Sequence, residues 1–255
     1  MTYVIVGAGP SGVVAAETMR KADPSLDVVL IGDEPEPPYS RMAIPYFLTG
    51  KIDEAGTYLR KTEGHYDTKG IQYREGRVAS IDADTGKVAL EDGSSQDYSK
   101  LLICTGASPI KPPVEGLDSP GVHHCWTLED ARQIIGLAHE GADVVLIGAG
   151  FIACIILEAL VERGVNLTVV EMEDRMLPRM MDEMGGEMIK RWCEKKGVSV
   201  QTGVRVNKVQ YNDDDSKGRL AVGLDNGSEL PAHLVVVAAG VTSNTAFLDG
   251  SSVKV

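Results

Sequence analysis

Apolar residues fall along this chain in short unbroken runs closed by glycine, and the runs come twice in the same order. Tyr3-Val4-Ile5-Val6 predicts a strand. A glycine turn and a helix over about residues 11–21 follow, and residues 28–31 predict a second strand. Pro35-Glu36-Pro37-Pro38-Tyr39 enforces an irregular loop, and a helical segment is expected near residues 45–48. Short strands are expected around residues 71–74, 77–82 and 87–90, turned by Asp84-Thr85-Gly86 and Asp92-Gly93. Leu101-Leu102-Ile103-Cys104-Thr105-Gly106 closes this half. Residues 107–120 hold four of the twelve prolines and read as a crossing between domains. After a helix at 128–138 the plan restarts: strand 144–147, glycine turn, helix 152–162, strand 167–170. An amphipathic helix follows near 181–195. Short strands are expected around 198–201, 205–211 and 220–224, and an apolar run at 234–239 ends in Gly240. Asp213-Asp214-Asp215 reads as a solvated hairpin tip.

Each half is thus a βαβ unit, a small antiparallel meander and a final apolar strand. The predicted fold class is α/β, with two Rossmann-like dinucleotide-binding domains, each a parallel sheet carrying a small meander. The boundaries expected are 1–110 and 111–240, with 241–255 returning towards the first domain. A chain of 255 residues with 43% hydrophobic residues has material for two cores. Its net charge of -12 argues against nucleic-acid binding, which needs a basic face. The short apolar runs argue against a membrane span. No signal peptide is expected, because the first strand begins at Tyr3. Cys104, Cys125, Cys154 and Cys193 show no paired or zinc-binding spacing, which fits a reducing, cytoplasmic setting. His123-His124 and Cys125 are not expected to bind metal. Neighbouring histidines on an extended segment point opposite ways, and no further ligand is placed near them.

The chemistry lies in the glycine turns. In Gly7-Ala8-Gly9-Pro10-Ser11-Gly12, Gly7 permits the tight turn, Gly9 admits a pyrophosphate to the backbone, and Gly12 lets helix and strand approach. The helix N-terminus offers N–H groups and a positive dipole end to phosphate. Asp33 or Glu34, just beyond the second strand, can accept from a ribose diol. Gly148-Ala149-Gly150-Phe151-Ile152-Ala153 repeats the pattern with alanine in the third glycine place. Glu171 ends the second strand of that unit, where a carboxylate bonds a ribose and repels a 2′-phosphate. This favours NAD(H) over NADP(H), although Arg175 lies close enough in sequence to answer a phosphate. One such fingerprint is a weak signal, and two in matching context are a strong one.

These residues, with Gly32-Asp33-Glu34-Pro35, Pro38-Tyr39-Ser40-Arg41 and Thr105-Gly106-Ala107, resemble the FAD/NAD-linked reductases of the pyridine nucleotide-disulfide oxidoreductase superfamily. Ferredoxin and rubredoxin reductases, NADH oxidases and the flavin part of assimilatory nitrite reductase are the members most alike. The resemblance implies FAD on the first unit and NAD(H) on the second. It implies that Asp33, Glu34 and Arg41 touch the FAD adenosine or pyrophosphate, that Val78 meets adenine through its backbone, and that Thr105-Gly106 turns near the flavin. It places Gly240 on the nicotinamide side, where a residue reading alone sees a strand-ending turn.

The chain also departs from that pattern. No CxxxxC or CxxC stands beside the flavin. In Met42-Ala43-Ile44-Pro45-Tyr46, Met42 stands where single-cysteine members place their cysteine, so dithiol chemistry is not expected. The Lys and Glu that ferredoxin reductases pair are Tyr46 and Ile155 here. Losing both halves of an ion pair together fits a repacked site, because losing one would strand a charge. Tyr46 is left with two readings, a flavin contact and core packing. The sequence stops before the family's second FAD segment and interface domain, so weak flavin retention is expected.

The expected function is hydride passage from NADH to flavin and electrons onward to an unidentified acceptor. That acceptor is a small iron–sulfur protein, dioxygen or a fused reductase domain. No side chain is assigned as catalytic, since the cofactors carry the chemistry. A homodimer is expected of a full-length form. The alternative is a truncated nucleotide-binding or assembly module without turnover.

Overall fold

A computed structural model describes residues 1–212 and 219–253. The acidic run at 213–215 lies outside the described residues. Two compact units form: Met1–Ser40, Glu54–Ser108 and Ser243–Val255 make the first, and Arg41–Asp53 with Pro109–Thr242 make the second.

In the first unit, β1 (Thr2–Val6), β2 (Asp27–Gly32), β3 (Ile71–Glu75) and β7 (Lys100–Ile103) form a parallel sheet in the order β3-β2-β1-β7. From Tyr3 to Val6 its β1 is apolar without a break because both faces are covered. Val4 and Val6 join Val29 and Ile31 against Val88 and Leu90 of a meander, β4 (Val78–Asp82), β5 (Lys87–Leu90) and β6 (Ser95–Asp97). Ile5 points the other way, with Val28 and Leu30, onto Val13 and Ala16 of α1 (Pro10–Ala22). Pro10 starts α1 at a position where a missing N–H costs nothing, and Arg20 and Lys21 suit its C-terminal dipole. Residues 71–74, expected alongside the meander strands, pair in parallel with β2 instead, because Ile71 packs on the α1 side. β6 was not expected, since Ser95-Gln96-Asp97 has no apolar signal. Leu248 packs on the meander side, and its segment groups with this unit.

A polar cluster ties α1 to the short helix α3 (His65–Thr68). Arg60 donates through Nε and Nη2 to the two oxygens of Glu17, at 2.6 and 2.5 Å, and His65 Nε2 lies 2.7 Å from Oε1. The Arg60 hydrogen bond, outweighing burial, holds the Glu17 carboxyl at about 2 against its usual 4.5. A folded value below the unfolded one means the stabilisation is full above the unfolded pKa and fades as pH falls through the folded one. Glu17→Gln is therefore expected to cost about 1–2 kcal/mol near neutrality, given partial solvent screening, and little at the acid end. Urea unfolding of both proteins at the two pH values checks this, and a constant difference would contradict it.

The second unit has β9 (Val122–His123), β10 (Asp143–Ile147), β11 (Asn166–Glu171), β12 (Ser199–Thr202) and β16 (Leu234–Val237) in a parallel sheet, order β12-β11-β10-β16-β9. The short strands β8 (Ala107–Pro109) and β17 (Val241–Ser243) lie where the chain passes between units. Val145, Ile147, Val170, Val235 and Val237 face the meander of β13 (Val206–Tyr211), β14 (Leu220–Leu224) and β15 (Glu229–Ala232) through Val209, Leu220 and Val222. Val144, Leu146 and Val169 alternate to the opposite side and are also buried, where α5 (Phe151–Glu162) packs on β10 and β11. Residues 198–201 join the parallel sheet, not the meander. Part of the proline-rich crossing is built into this unit: Glu115 bridges Lys208, and Gly116, at φ 84, leaves no room for a Cβ against the Val209 carbonyl.

Residues 41–53, with α2 (Ile44–Leu48), group with the second unit. α2 packs against α5 and α4 (Leu128–Leu137), and Arg163 donates to the carbonyls of Leu48 at 2.7 Å, Ile135 at 2.7 Å and Ala138 at 2.8 Å. Lys51 and Glu162 add an ion pair at 2.7 Å. A local sequence pattern carries no sign of such a distant anchor.

Candidate dinucleotide-binding sites

The two glycine loops are built alike. Gly7 and Gly148 donate to the last carbonyl before the end of the neighbouring strand, Ile31 and Val170, each at 2.8 Å. Both hold positive φ, 107° and 101°. A Cβ on Gly7 would sit 2.1 Å from the Cys104 carbonyl oxygen, and one on Gly148 would sit 2.6 Å from that of Ala238. By contrast a Cβ on Gly9 or Gly150 would meet nothing within 4 Å. The second glycine of each loop therefore opens to space at a helix N-terminus that has no side-chain cap. Close packing at the first glycine and open backbone at the second form the cradle a diphosphate needs. On this ground the residues fit dinucleotides. Pro10 and Ser11 are exposed on the first turn of α1, and Phe151 is 55% exposed at the start of α5, with Ile152 half-buried beside it.

Around the first loop, Asp33 is exposed and Glu34 accepts from the Tyr39 hydroxyl at 2.5 Å. The acid stands beyond the strand for a steric reason. Gly32 occupies the strand-end place that Glu171 fills in the other unit, and a Cβ there would lie 2.7 Å from the Tyr73 hydroxyl and 2.8 Å from the Ala8 Cβ. Thr105-Gly106 is stapled by a residue the sequence reading missed. Thr105 donates its hydroxyl to the Asn244 carbonyl at 2.7 Å, and the Asn244 amide donates to the Thr105 carbonyl at 2.9 Å. The Asn244 N–H reaches the Gly106 carbonyl at 3.0 Å. Val78 starts β4, half-buried against the meander-side core. Arg41 is the one residue expected at the first site that groups with the second unit, where its guanidinium lies 5.3 Å from the Trp126 ring centre.

At the second loop, Glu171 is 6% exposed, and its carboxylate accepts from the N–H groups of Ala149 at 2.7 Å and Glu173 at 2.9 Å. The Ala149 carbonyl accepts from Leu177 N–H at 2.9 Å. Leu177 is the only non-glycine residue with positive φ among the described residues, at 51°, a conformation that costs energy for a branched side chain. Ala149 is thus held from both sides, which fixes the loop before any ligand arrives. Nothing in the local pattern marks Leu177. Arg175 donates to its neighbour Asp174 at 2.6 Å and to the Met181 carbonyl at 3.1 Å, so its guanidinium is tied to its own loop.

Gly240, at φ 120°, accepts from Ile110 N–H at 2.9 Å. It helps line an apolar cleft with His124, Cys125, Trp126, Ile152 and Val237. His124 Nδ1 lies 3.0 Å from the Val237 carbonyl. Burial pushes the Cys125 thiol up to about 12 and the Cys154 thiol up to about 11, so both stay protonated near neutrality. All four cysteines are free. Tyr46 is 56% exposed and Met42 69%, so Tyr46 does not pack in the core. Ile155 is half-buried on α5. Among the described residues no three His, Cys, Asp or Glu side chains gather as metal ligands, and no helix is long and apolar enough to cross a membrane.

Tandem parallel sheets, each with a glycine loop feeding a bare helix N-terminus, define a protein of two Rossmann-like dinucleotide-binding domains. The family model for pyridine nucleotide-disulphide oxidoreductases matches residues 1–255, and the chain belongs to that family. It is 32% identical to the NADH-dependent phenylglyoxylate dehydrogenase subunit epsilon of Aromatoleum evansii, over 99% of this chain and 59% of that protein. It is 33% identical to a probable ferredoxin reductase of Castellaniella defragrans, over 98% of this chain and 62% of that one. The covalent putidaredoxin reductase–putidaredoxin complex holds a chain that superposes with a TM-score of 0.93 at 27% identity, covering 100% of this chain and 62% of that chain. The chain therefore spans about three-fifths of the length of these relatives.

Proposed function

We propose that this chain is the dinucleotide-binding part of an FAD-dependent NADH oxidoreductase, with FAD on the first unit and NADH on the second. The observation that carries this reading is the pair of glycine loops, each packed at its first glycine and open at its second. Bound flavin would supply the chemistry that takes reducing equivalents from NADH and hands them to an acceptor. The chain's own part is to bind and orient. The N-terminus of α1 faces the FAD diphosphate, Asp33 and Glu34 take the ribose side, and the Asn244 staple fixes the Thr105-Gly106 turn. Val78 offers its backbone to adenine. In the second unit Gly150, Phe151 and Ile152 present the N-terminus of α5 to the NADH diphosphate. The cleft at Gly240 is apolar and suits the flat nicotinamide ring. The protonated, unpaired thiols fit electron transfer that does not use a cysteine pair. Relatives named as an NADH-dependent dehydrogenase subunit and a ferredoxin reductase support NADH as donor and a small redox protein as acceptor.

The test is to titrate the purified chain with FAD and, with FAD still present, mix it with NADH without air. Saturable flavin binding and a rapid fall in the visible absorption of the bound flavin are expected. A chain that binds ADP and NADH but takes up no FAD would overturn the flavin assignment and favour a nucleotide-binding module without turnover.

The choice of NADH over NADPH rests on Glu171. Glu171→Ala removes a charged acceptor and leaves the Ala149 and Glu173 N–H groups without one. A loss of about tenfold to a hundredfold in NADH affinity is expected, with a smaller loss for NADPH. Fluorescence titration with both nucleotides checks it, and an unchanged preference would place the discrimination elsewhere.

A further inference from the structure

The helix α6 (Glu183–Lys195) buries one face and leaves another bare. Gly186 and Cys193 are buried and Ile189 and Lys190 half-buried, and these four share the side turned to the sheet. Met184, Met188 and Trp192 are 75%, 66% and 51% exposed. They are four residues apart and so form one continuous stripe on the far side. Met181, 39% exposed, lies against Gly185 at the start of the helix and extends the stripe. Of the fifteen exposed large hydrophobic side chains among the described residues, six fall between residues 172 and 192. Isolated exposed apolar residues need no explanation, but a contiguous stripe marks a contact surface.

The charges on α6 say what covers it. Asp182, Glu183 and Glu187 lie in its N-terminal half, and Lys190, Arg191, Lys195 and Lys196 in its C-terminal half, with Glu194 the one acid among them. The row Glu187, Arg191, Lys195 runs directly beside the Met–Trp stripe, and Glu187 and Arg191 already pair at 2.9 Å along the helix. A surface acidic at one end and basic at the other complements itself only when a second copy runs the opposite way. We propose that this face of α6 is a self-association surface, on which a second copy of this chain packs its own α6 antiparallel about a two-fold axis near Met188. In that arrangement Met188 meets Met188 of the second copy, Met184 meets Trp192 of the second copy, and Glu187 lies beside Arg191 of the second copy. The opposed helix dipoles favour the same direction. Unbranched methionines adapt to such a contact, and Trp192 supplies the large anchor. One helix pair buries less than a standard interface, so the dimer forms in a concentration-dependent way.

The full chain is to be followed by sedimentation equilibrium as its concentration is raised. A monomer–dimer equilibrium is expected. Met188→Glu, which sets two carboxylates together on the axis, is expected to weaken it at least about tenfold, with an unchanged circular dichroism spectrum showing that the fold survives. Glu187→Lys and Arg191→Glu should each weaken the dimer, and the two together should restore it, because each new charge then meets its opposite on the second copy. A chain that stays monomeric throughout overturns the proposal and leaves the stripe to a different protein. A dimer indifferent to Met188→Glu overturns it too, and a double charge variant as weak as the singles overturns the antiparallel pairing.

Discussion

Gly150→Val is expected to leave the chain folded while weakening NADH binding by about a hundredfold or more, an effect of roughly 3 kcal/mol. Gly150 has φ -74° and ψ -176°, an extended conformation that valine adopts without strain, and a Cβ there meets nothing within 4 Å. The branched side chain would fill the space that the diphosphate occupies at the start of α5. Gly9 is in the same situation, at φ -71° and ψ -177° with the same open space. Gly9→Val is accordingly expected to abolish FAD uptake and to leave NADH binding intact. The two variants form a reciprocal pair, read by titrating each with FAD and with NADH and by comparing thermal unfolding with the parent chain. If both lose both ligands, the assignment of one dinucleotide to each unit is wrong. If neither loses any, the cradle reading is wrong.

Gly12→Ala should act in the opposite manner, on stability first. Its Cβ would lie 1.9 Å from the Gly7 carbonyl oxygen and 3.3 Å from the Leu30 side chain. The first of these is a rigid backbone atom that cannot step aside, so α1 must lift from the sheet. A loss of about 3 kcal/mol, the upper end for forced overpacking, is expected. For a unit of this size that lowers its unfolding midpoint by more than about 10 °C. The second unit supplies the internal control, because Ala153 takes the equivalent place, 1% exposed, and is accommodated. NADH binding to the second unit should therefore survive in Gly12→Ala at temperatures where flavin binding is already lost. Calorimetry, with each transition assigned by the ligand that shifts it, tests this. A midpoint that does not move would show that the close approach of α1 to the Gly7 carbonyl does not hold the first unit together.

Local chemistry determined a good part of this protein unaided. The strand, the positive-φ glycine and the helix opening are written in adjacent residues, so both fingerprints, both central strands and the helices after them were legible from period and turn residues alone. So was the place of Glu171, which ends an apolar run. Only the tertiary structure decided which distant partner each piece would meet. Ile71 and Val200 carry the same short apolar signal as the meander strands, yet their strands extend the parallel sheets. β6, β9 and β15 are too short or too polar to be marked by their own residues. Residues 41–53 leave the first unit because Arg163, more than a hundred positions away, holds Leu48. Asn244 reaches Thr105 across 139 positions, and Leu177 pays for its strained backbone by pinning Ala149. A local pattern encodes how the chain will bend and which face is apolar. It does not encode what that face will rest on, since this depends on the packing of every other element at once.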